Sequence, residues 1–204
     1  MTPHPAAADI VALYQRHADK WDADRGKTLL ERPWLDRFRQ ALAPGRPVLD
    51  LGCGTGDPMA RYLIEQGHAI VGVDAAPAFI DICRRRFPAQ RWIPADMRTL
   101  VLNERFGGIL AWGSFFHLTP DDQRPMFSTF ARHAAPGAAL MFTSGPEAGE
   151  RIGAYHGDAL YHASLAPAEY EALLTANGFR VLSYVAEDPA CGDATVWLAK
   201  FKDA

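Results

Sequence analysis

The chain has 204 residues, enough for one ordinary domain with a sizeable core. Apolar residues make up 49%, charged residues 22%, and the formal net charge is −3, which excludes a disordered or fibrous chain. That charge offers no pull toward a phosphate backbone, so nucleic acid is not an expected partner.

Residues 6–43 read as two helices. In the first, Ile10, Leu13, Tyr14, His17 and Trp21 fall at helical spacing and form one apolar stripe, suited to a cap over a sheet edge or a lid over a site. Short β-rich runs then alternate with helical patterns. PVLDLGC (47–53) leads to a helix near 57–67, and HAIVGVD (68–74) to one near 77–87. RWIPAD (91–96), GGILAWGSF (107–115), a helix near 121–134 and AALMFTSG (138–145) follow. Buried strands with intervening helices imply a parallel sheet covered on both faces. The Gly-rich segment 145–165 reads as a loop, followed by a helix near 167–177. RVLSYVAE and TVWLAKF are joined by DPACGD, which is too short for a helical crossover, so these strands should pair antiparallel. The expected organisation is a single domain over 1–204: a helical cap (1–43), a ligand-binding core (44–145), and a loop with a C-terminal hairpin (146–204).

Cys53, Cys83 and Cys191 are odd in number and lack a C-x-x-C pair. This argues against a disulfide framework or a zinc site. Neither a signal-type apolar run nor a stretch of bilayer-crossing length occurs, so the expectation is cytoplasmic, with no membrane partner.

The stretch VLDLGCGTGDPMARYL (48–63) puts Gly52, Gly54 and Gly56 at the carboxyl end of the first strand, where open α/β sheets bind ligands. Glycine there lets the backbone turn sharply and lets a ligand approach. The spacing lacks the third glycine of a dinucleotide loop, since that position is Asp57. Asp50, just before the loop, would repel a pyrophosphate and suits an ammonium group instead. Asp74, about twenty residues on, can accept from both hydroxyls of a ribose. Asp96 can accept from an exocyclic amine such as adenine N6, with Met97 packing nearby. Three acids on three successive strand ends match an adenosine with an amino-acid tail better than a dinucleotide.

These residues resemble class I S-adenosylmethionine-dependent methyltransferases over about residues 46–145. VLDLGCGTGD is similar to that family's methionine and ribose loop, GVDAAP (with Asp74 and Ala75) to its ribose acid, and PADM to its adenine acid. GGILAWGSFFHLTPDD is similar to its fourth strand and following turn. The resemblance implies S-adenosyl-L-methionine as cofactor. It places Trp112, Gly113 and Ser114 near the sulfonium, with Ser114 on the acceptor side, and Tyr14 and Trp21 against the methionine end. It also implies a Rossmann-like doubly wound α/β sheet of strand order 3-2-1-4-5-7-6, with strand 7 antiparallel.

What is missing narrows the acceptor. The stretch AWGS stands where amino-methyltransferases of DNA carry a (D/N)PPY loop. Ala111 and Trp112 occupy the place where metal-dependent relatives hold magnesium with an aspartate, so no metal is expected. What remains is methyl transfer to O or N of a small, aromatic or heterocyclic molecule. His117 is the candidate general base; the alternative is a packed histidine that buttresses the cofactor loop. Tyr155, His156, Tyr161 and His162 are candidate acceptor-binding residues, able to stack on a flat substrate; the alternative is an ordinary surface loop. Arg25 suits the cofactor carboxylate, an acidic substrate or plain solvent. Two other functions compete: a non-catalytic S-adenosylmethionine-binding subunit or sensor, and an NAD(P)-dependent oxidoreductase, which Asp50 and Asp57 disfavour.

Overall fold

The computed structural model describes residues 4–203, so the two ends of the expected 1–204 domain lie outside the described residues. Helices α1 (Pro5–Asp24) and α2 (Arg32–Ala41) come first. His4 caps α1 by accepting the Ala6 N–H, and Pro5 sits where a missing N–H costs little. Ile10 and Leu13 of the apolar stripe are buried, and the helix departs from helical dihedrals at His17 (φ −109°, ψ 16°).

The alternating part follows as β1 (Val48–Leu51), α3 (Met59–Glu65), β2 (Ile70–Asp74), α4 (Pro77–Arg86), β3 (Arg91–Pro94), β4 (Phe106–Ala111), α5 (Pro120–His133) and β5 (Ala134–Ser144). These strands read as nearly continuous apolar runs because both faces are covered. On one face Leu49, Val73 and Ile109 pack with Met126, Phe127 and Phe130 of α5. On the other, Val48, Ile70 and Leu110 pack with Leu35 and Phe38 of α2 and Leu63 of α3. The chain ends with α6 (Pro167–Ala176), β8 (Phe179–Asp188) and β9 (Ala194–Phe201).

The seven-stranded sheet runs β3-β2-β1-β4-β5-β9-β8. β9 is antiparallel to both neighbours, with Phe142 opposite Trp197 and Tyr184 opposite Trp197 in the two registers. With a separate hairpin set aside, β8 and β9 are the sixth and seventh strands of this sheet. The order is then 3-2-1-4-5-7-6 with the seventh antiparallel, as expected.

The separate hairpin corrects one expectation. Part of the Gly-rich segment is not a loop but two paired strands, β6 (Gly149–Tyr155) and β7 (Asp158–Ser164), in register from Gly149↔Ser164 to Tyr155↔Asp158. His156 and Gly157 turn the chain with φ +48° and +91°, the left-handed pair that a two-residue hairpin needs. β6 is exposed along nearly its whole length, so GERIGAY carries no alternating apolar face to betray a strand. β7 instead buries Tyr161 and Ala163 against Ala6 and Ile10 of α1.

Candidate active site

The ligand end of the sheet is built around the glycine loop. Gly52, Gly54 and Gly56 all have left-handed φ (+69°, +53°, +74°). At Gly52 the requirement is doubled, because a Cβ would lie 2.2 Å from Ser114 Cβ. The loop is tied down from below by Asp74 at the end of β2. Its Oδ2 accepts the Gly54 N–H at 3.0 Å and its Oδ1 the Ala76 N–H at 2.9 Å. Burial raises Asp74 to about 6 even though these backbone donors pull it down. Asp50, buried within β1, is pushed up to about 7 by burial and by the charge of Asp74.

A cavity of about 250 Å³ lies beside this loop. It brings together most of the residues expected to hold the cofactor: Gly52, Gly54, Asp74, Ala75, Asp96 and Met97 from the strand ends, and Gly113 after β4. Tyr14 and Trp21 of α1 complete its roof, with Ile10 of the same apolar stripe and Val11, which lies off it. Asp50 lies under the loop and outside this lining, whereas Gly56 and Trp112 face a second cavity. Asp96 is less free than expected. It accepts the Arg98 N–H at 2.8 Å and pairs with the Arg98 guanidinium at 2.6 Å. Burial works to raise this carboxyl, but Arg98 holds it below its ordinary value. Arg98 also reaches Asp122 at 3.1 Å and lines the cavity itself.

The second cavity, about 630 Å³, shares Tyr14, Trp21, Gly52, Gly54, Gly113 and His117 with the first. Beyond that shared wall it presents the aromatic side chains of Trp112, Phe116 and His162, and the hydroxyls of Thr143 and Ser144. Thr143 Oγ1 accepts the Gly113 N–H at 2.9 Å, which fixes the turn after β4. Ser114 faces the first cavity, but its hydroxyl donates to the Leu51 carbonyl at 2.7 Å and so secures that turn to β1.

His117 sits on the shared wall, 8% exposed, with both ring nitrogens engaged. Nδ1 is 2.7 Å from the Tyr161 carbonyl and Nε2 is 2.8 Å from Tyr14 Oη. A carbonyl can only accept, so Nδ1 carries the proton, and Nε2 accepts from the Tyr14 hydroxyl. Burial lowers His117 to about 4, partly offset by the bond to Tyr161. Burial, with the charge of Asp74, pushes the Tyr14 phenol far above its ordinary value. At neutral pH the pair is therefore a neutral phenol donating to a neutral imidazole.

The four aromatic residues of the former loop separate. His162 faces the second cavity. Tyr161 is fully buried beside α1 and lines neither cavity, but its carbonyl orients His117. Tyr155 and His156 also stand outside both cavities. At the hairpin tip they bind Asp24 of α1, at 3.0 Å and 2.9 Å. Arg25 lines the second cavity and pairs with the buried Glu31.

This geometry can hold an adenosine with an amino-acid tail. The Asp74 carboxylate lines the cavity beside Gly52 and Gly54, and Asp57 stands where a dinucleotide loop has its third glycine. The methyltransferase-domain family matches residues 48–137. An O-methyltransferase of Pyrenophora dematioidea is 28% identical over 212 residues, spanning 89% of this chain and 79% of that protein. A dTDP-4-amino-2,3,4,6-tetradeoxy-D-glucose N,N-dimethyltransferase of Saccharopolyspora spinosa is 30% identical over 140 residues, 67% of this chain but only 53% of that protein. Among solved structures, the 1,6-didemethyltoxoflavin-N1-methyltransferase of Burkholderia thailandensis, with bound 1,6-didemethyltoxoflavin and S-adenosylhomocysteine, matches with a TM-score of 0.70. It is 25% identical, over 97% of this chain and 87% of its own. The cofactor loop, the strand order and these relatives agree, and together they support a class I S-adenosylmethionine-dependent methyltransferase.

Proposed function

We propose that the protein methylates an oxygen or nitrogen of a small aromatic or heterocyclic molecule, without a metal. The observation that carries this reading is the junction of two cavities at Tyr14, Trp21, Gly113 and His117. One side has the acids suited to an adenosine, and the other carries Trp112, Phe116 and His162 beside Thr143 and Ser144, with the charged Arg25, Glu31, Asp57 and Asp193 also in its lining. That second lining suits a flat ring with a polar rim. The heterocycle bound to the Burkholderia thailandensis relative supports the same acceptor class.

Bound S-adenosylmethionine supplies an electrophilic methyl carbon on a sulfonium. In this reading Asp74 accepts from the ribose hydroxyls, and Asp96, Met97 and Ala75 border the adenine. The glycine loop passes the methionine end. Trp21 and Tyr14 cover the junction and exclude water, while Trp112, Phe116 and His162 align the acceptor ring. For a hydroxyl acceptor, its proton moves to Tyr14 Oη as the Tyr14 proton moves to His117 Nε2. His117 thus receives the proton through Tyr14, not from the acceptor directly. A neutral amine attacks without that help and loses its proton afterwards.

The test is methyl-labelled S-adenosylmethionine incubated with the protein and a fractionated small-molecule extract, beside a protein fraction. Label in an ultraviolet-absorbing small-molecule fraction is the expected result. Label confined to protein overturns the acceptor class, and cofactor binding without any transfer points to a sensor.

A further inference from the structure

α1 carries Tyr14 and Trp21 to the site, yet it belongs to neither of the two main cores. It packs through two small clusters, Ala6 and Ile10 with Tyr161 and Ala163, and Ala18 with Ala76, Phe79 and Ile82. Its polar ties therefore carry more of its placement than they would for a core helix. At the C-terminal end of α1 the hairpin tip holds Asp24, and the tie that also reaches the glycine loop is one guanidinium. Arg86, the last residue of α4, donates from Nη1 and Nη2 to the two Asp22 oxygens at 2.8 Å and 2.6 Å. Nη1 donates also to the Thr55 carbonyl at 3.0 Å.

Both partners are mostly shielded, with side-chain exposures of 22% for Arg86 and 23% for Asp22. A two-pronged, shielded pair of this kind is worth more than an exposed one. Its position matters as much as its strength. Thr55 lies in the loop between Gly54 and Gly56, and Asp22 follows Trp21. The Trp21 indole nitrogen stands 3.8 Å from where a Cβ on Gly54 would be. One side chain thus fixes the floor and the roof of the methionine end together, while neither Arg86 nor Asp22 lines either cavity.

We infer that Arg86 is a positioning residue for the cofactor: through Asp22 and the Thr55 carbonyl it holds Trp21 closed over the glycine loop and so sets how long the cofactor stays bound. The role concerns cofactor retention and stands apart from the identity of the acceptor. Lys27, 3.4 Å from Asp22 and 42% exposed, is a weaker second tie.

The experiment follows S-adenosylhomocysteine release from the full chain by stopped-flow tryptophan fluorescence, with the melting temperature of the unliganded protein measured in parallel. Arg86→Ala and Asp22→Asn should each speed release about tenfold, in the usual range for coupled neighbouring charges. Association should change less than about threefold. The double variant should release no faster than either single one, because both remove the same tie. Arg86→Lys keeps a donor for the Thr55 carbonyl and should fall between; with Asp22→Asn it remains informative should Arg86→Ala fail to fold. Unchanged release with a lowered unliganded melting temperature overturns the proposal and leaves the pair a structural bond. Losses that multiply in the double variant overturn it as well.

Discussion

Tyr14 Oη lies 2.8 Å from His117 Nε2, while the other nitrogen of the same ring lies 2.7 Å from the Tyr161 carbonyl. One imidazole therefore links α1, the turn after β4 and the hairpin β6–β7 at the point where the two cavities meet. If the two side chains act as one proton path, removing either should cost the same. Tyr14→Phe and His117→Ala should each lower kcat for a hydroxyl acceptor about 100-fold, a usual size for general-base assistance. The double variant should be no slower than the worse single one. S-adenosylhomocysteine affinity should fall much less than kcat. For an amine acceptor the loss should stay under about tenfold, so the same variants tell O from N transfer. Equal losses in kcat and cofactor affinity would leave His117 a buttress.

Asp74 has two duties, and they can be separated. Its oxygens hold the Gly54 and Ala76 N–H groups, and the same carboxylate lines the first cavity. Asp74→Asn retains one oxygen acceptor for the backbone but loses the charge and half of the accepting capacity. Two hydrogen bonds to an ionised acceptor are worth about 3 kcal/mol together, so S-adenosylmethionine should bind roughly 100-fold more weakly. Calorimetry reads this directly. An unchanged dissociation constant removes the ribose assignment.

The two raised carboxyls give a pH signature. Asp74 at about 6 and Asp50 at about 7 both stand above the 3.8 of a free aspartate. As pH rises from about 4 to 7 the unfolded chain has already released these protons while the folded one releases them late. Each group thus favours folding below pH 4 and loses that contribution as pH rises through its folded value. The buried His117, lowered to about 4, acts in the opposite sense, losing its contribution as pH falls from 6.5 toward 4. The clean readout is therefore a difference: the melting temperature of Asp50→Asn minus that of the wild type should increase from pH 5 to pH 7.5. Cofactor affinity of the wild type should rise over the same interval, since the ligand selects the ionised acids. A flat difference would mean that Asp50 is already ionised at pH 5.

The sheet and the cofactor side were legible for one reason: local pattern and three-dimensional position coincide there. Apolar runs buried on both faces read as parallel strands; Asp74 ends β2 as counted, while Asp96 lies two residues beyond the end of β3. Legibility stopped where position depends on distant partners. Arg86 meets Asp22 across 64 residues, and no spacing rule links them. Arg98 adjoins the expected Asp96 and Met97, but its engagement with both Asp96 and Asp122 exists only after folding and has no signature in the sequence. The tyrosine–histidine cluster looked like one surface because it is contiguous in sequence. Strand alternation sends Tyr161 inward and His162 toward the second cavity, and the turn sends Tyr155 and His156 to Asp24.

Gly52 offers the sharpest check on the loop itself. Its φ of +69° disfavours any side chain, and the missing Cβ is where Ser114 Cβ already lies, 2.2 Å away. Ser114 cannot retreat cheaply, since its hydroxyl is bonded to the Leu51 carbonyl at 2.7 Å. Gly52→Ala should therefore lose about 3 kcal/mol from left-handed strain and overpacking together. In a chain of this size that lowers the melting temperature by about 6–12 °C. Gly113 is the natural control. Its φ is +63° but nothing lies within 4 Å of a Cβ there, so Gly113→Ala should carry only the backbone part, about 1–2 kcal/mol. The gap between the two variants measures the contact of the glycine loop with the turn after β4, and equal losses would mean that this contact relaxes without strain.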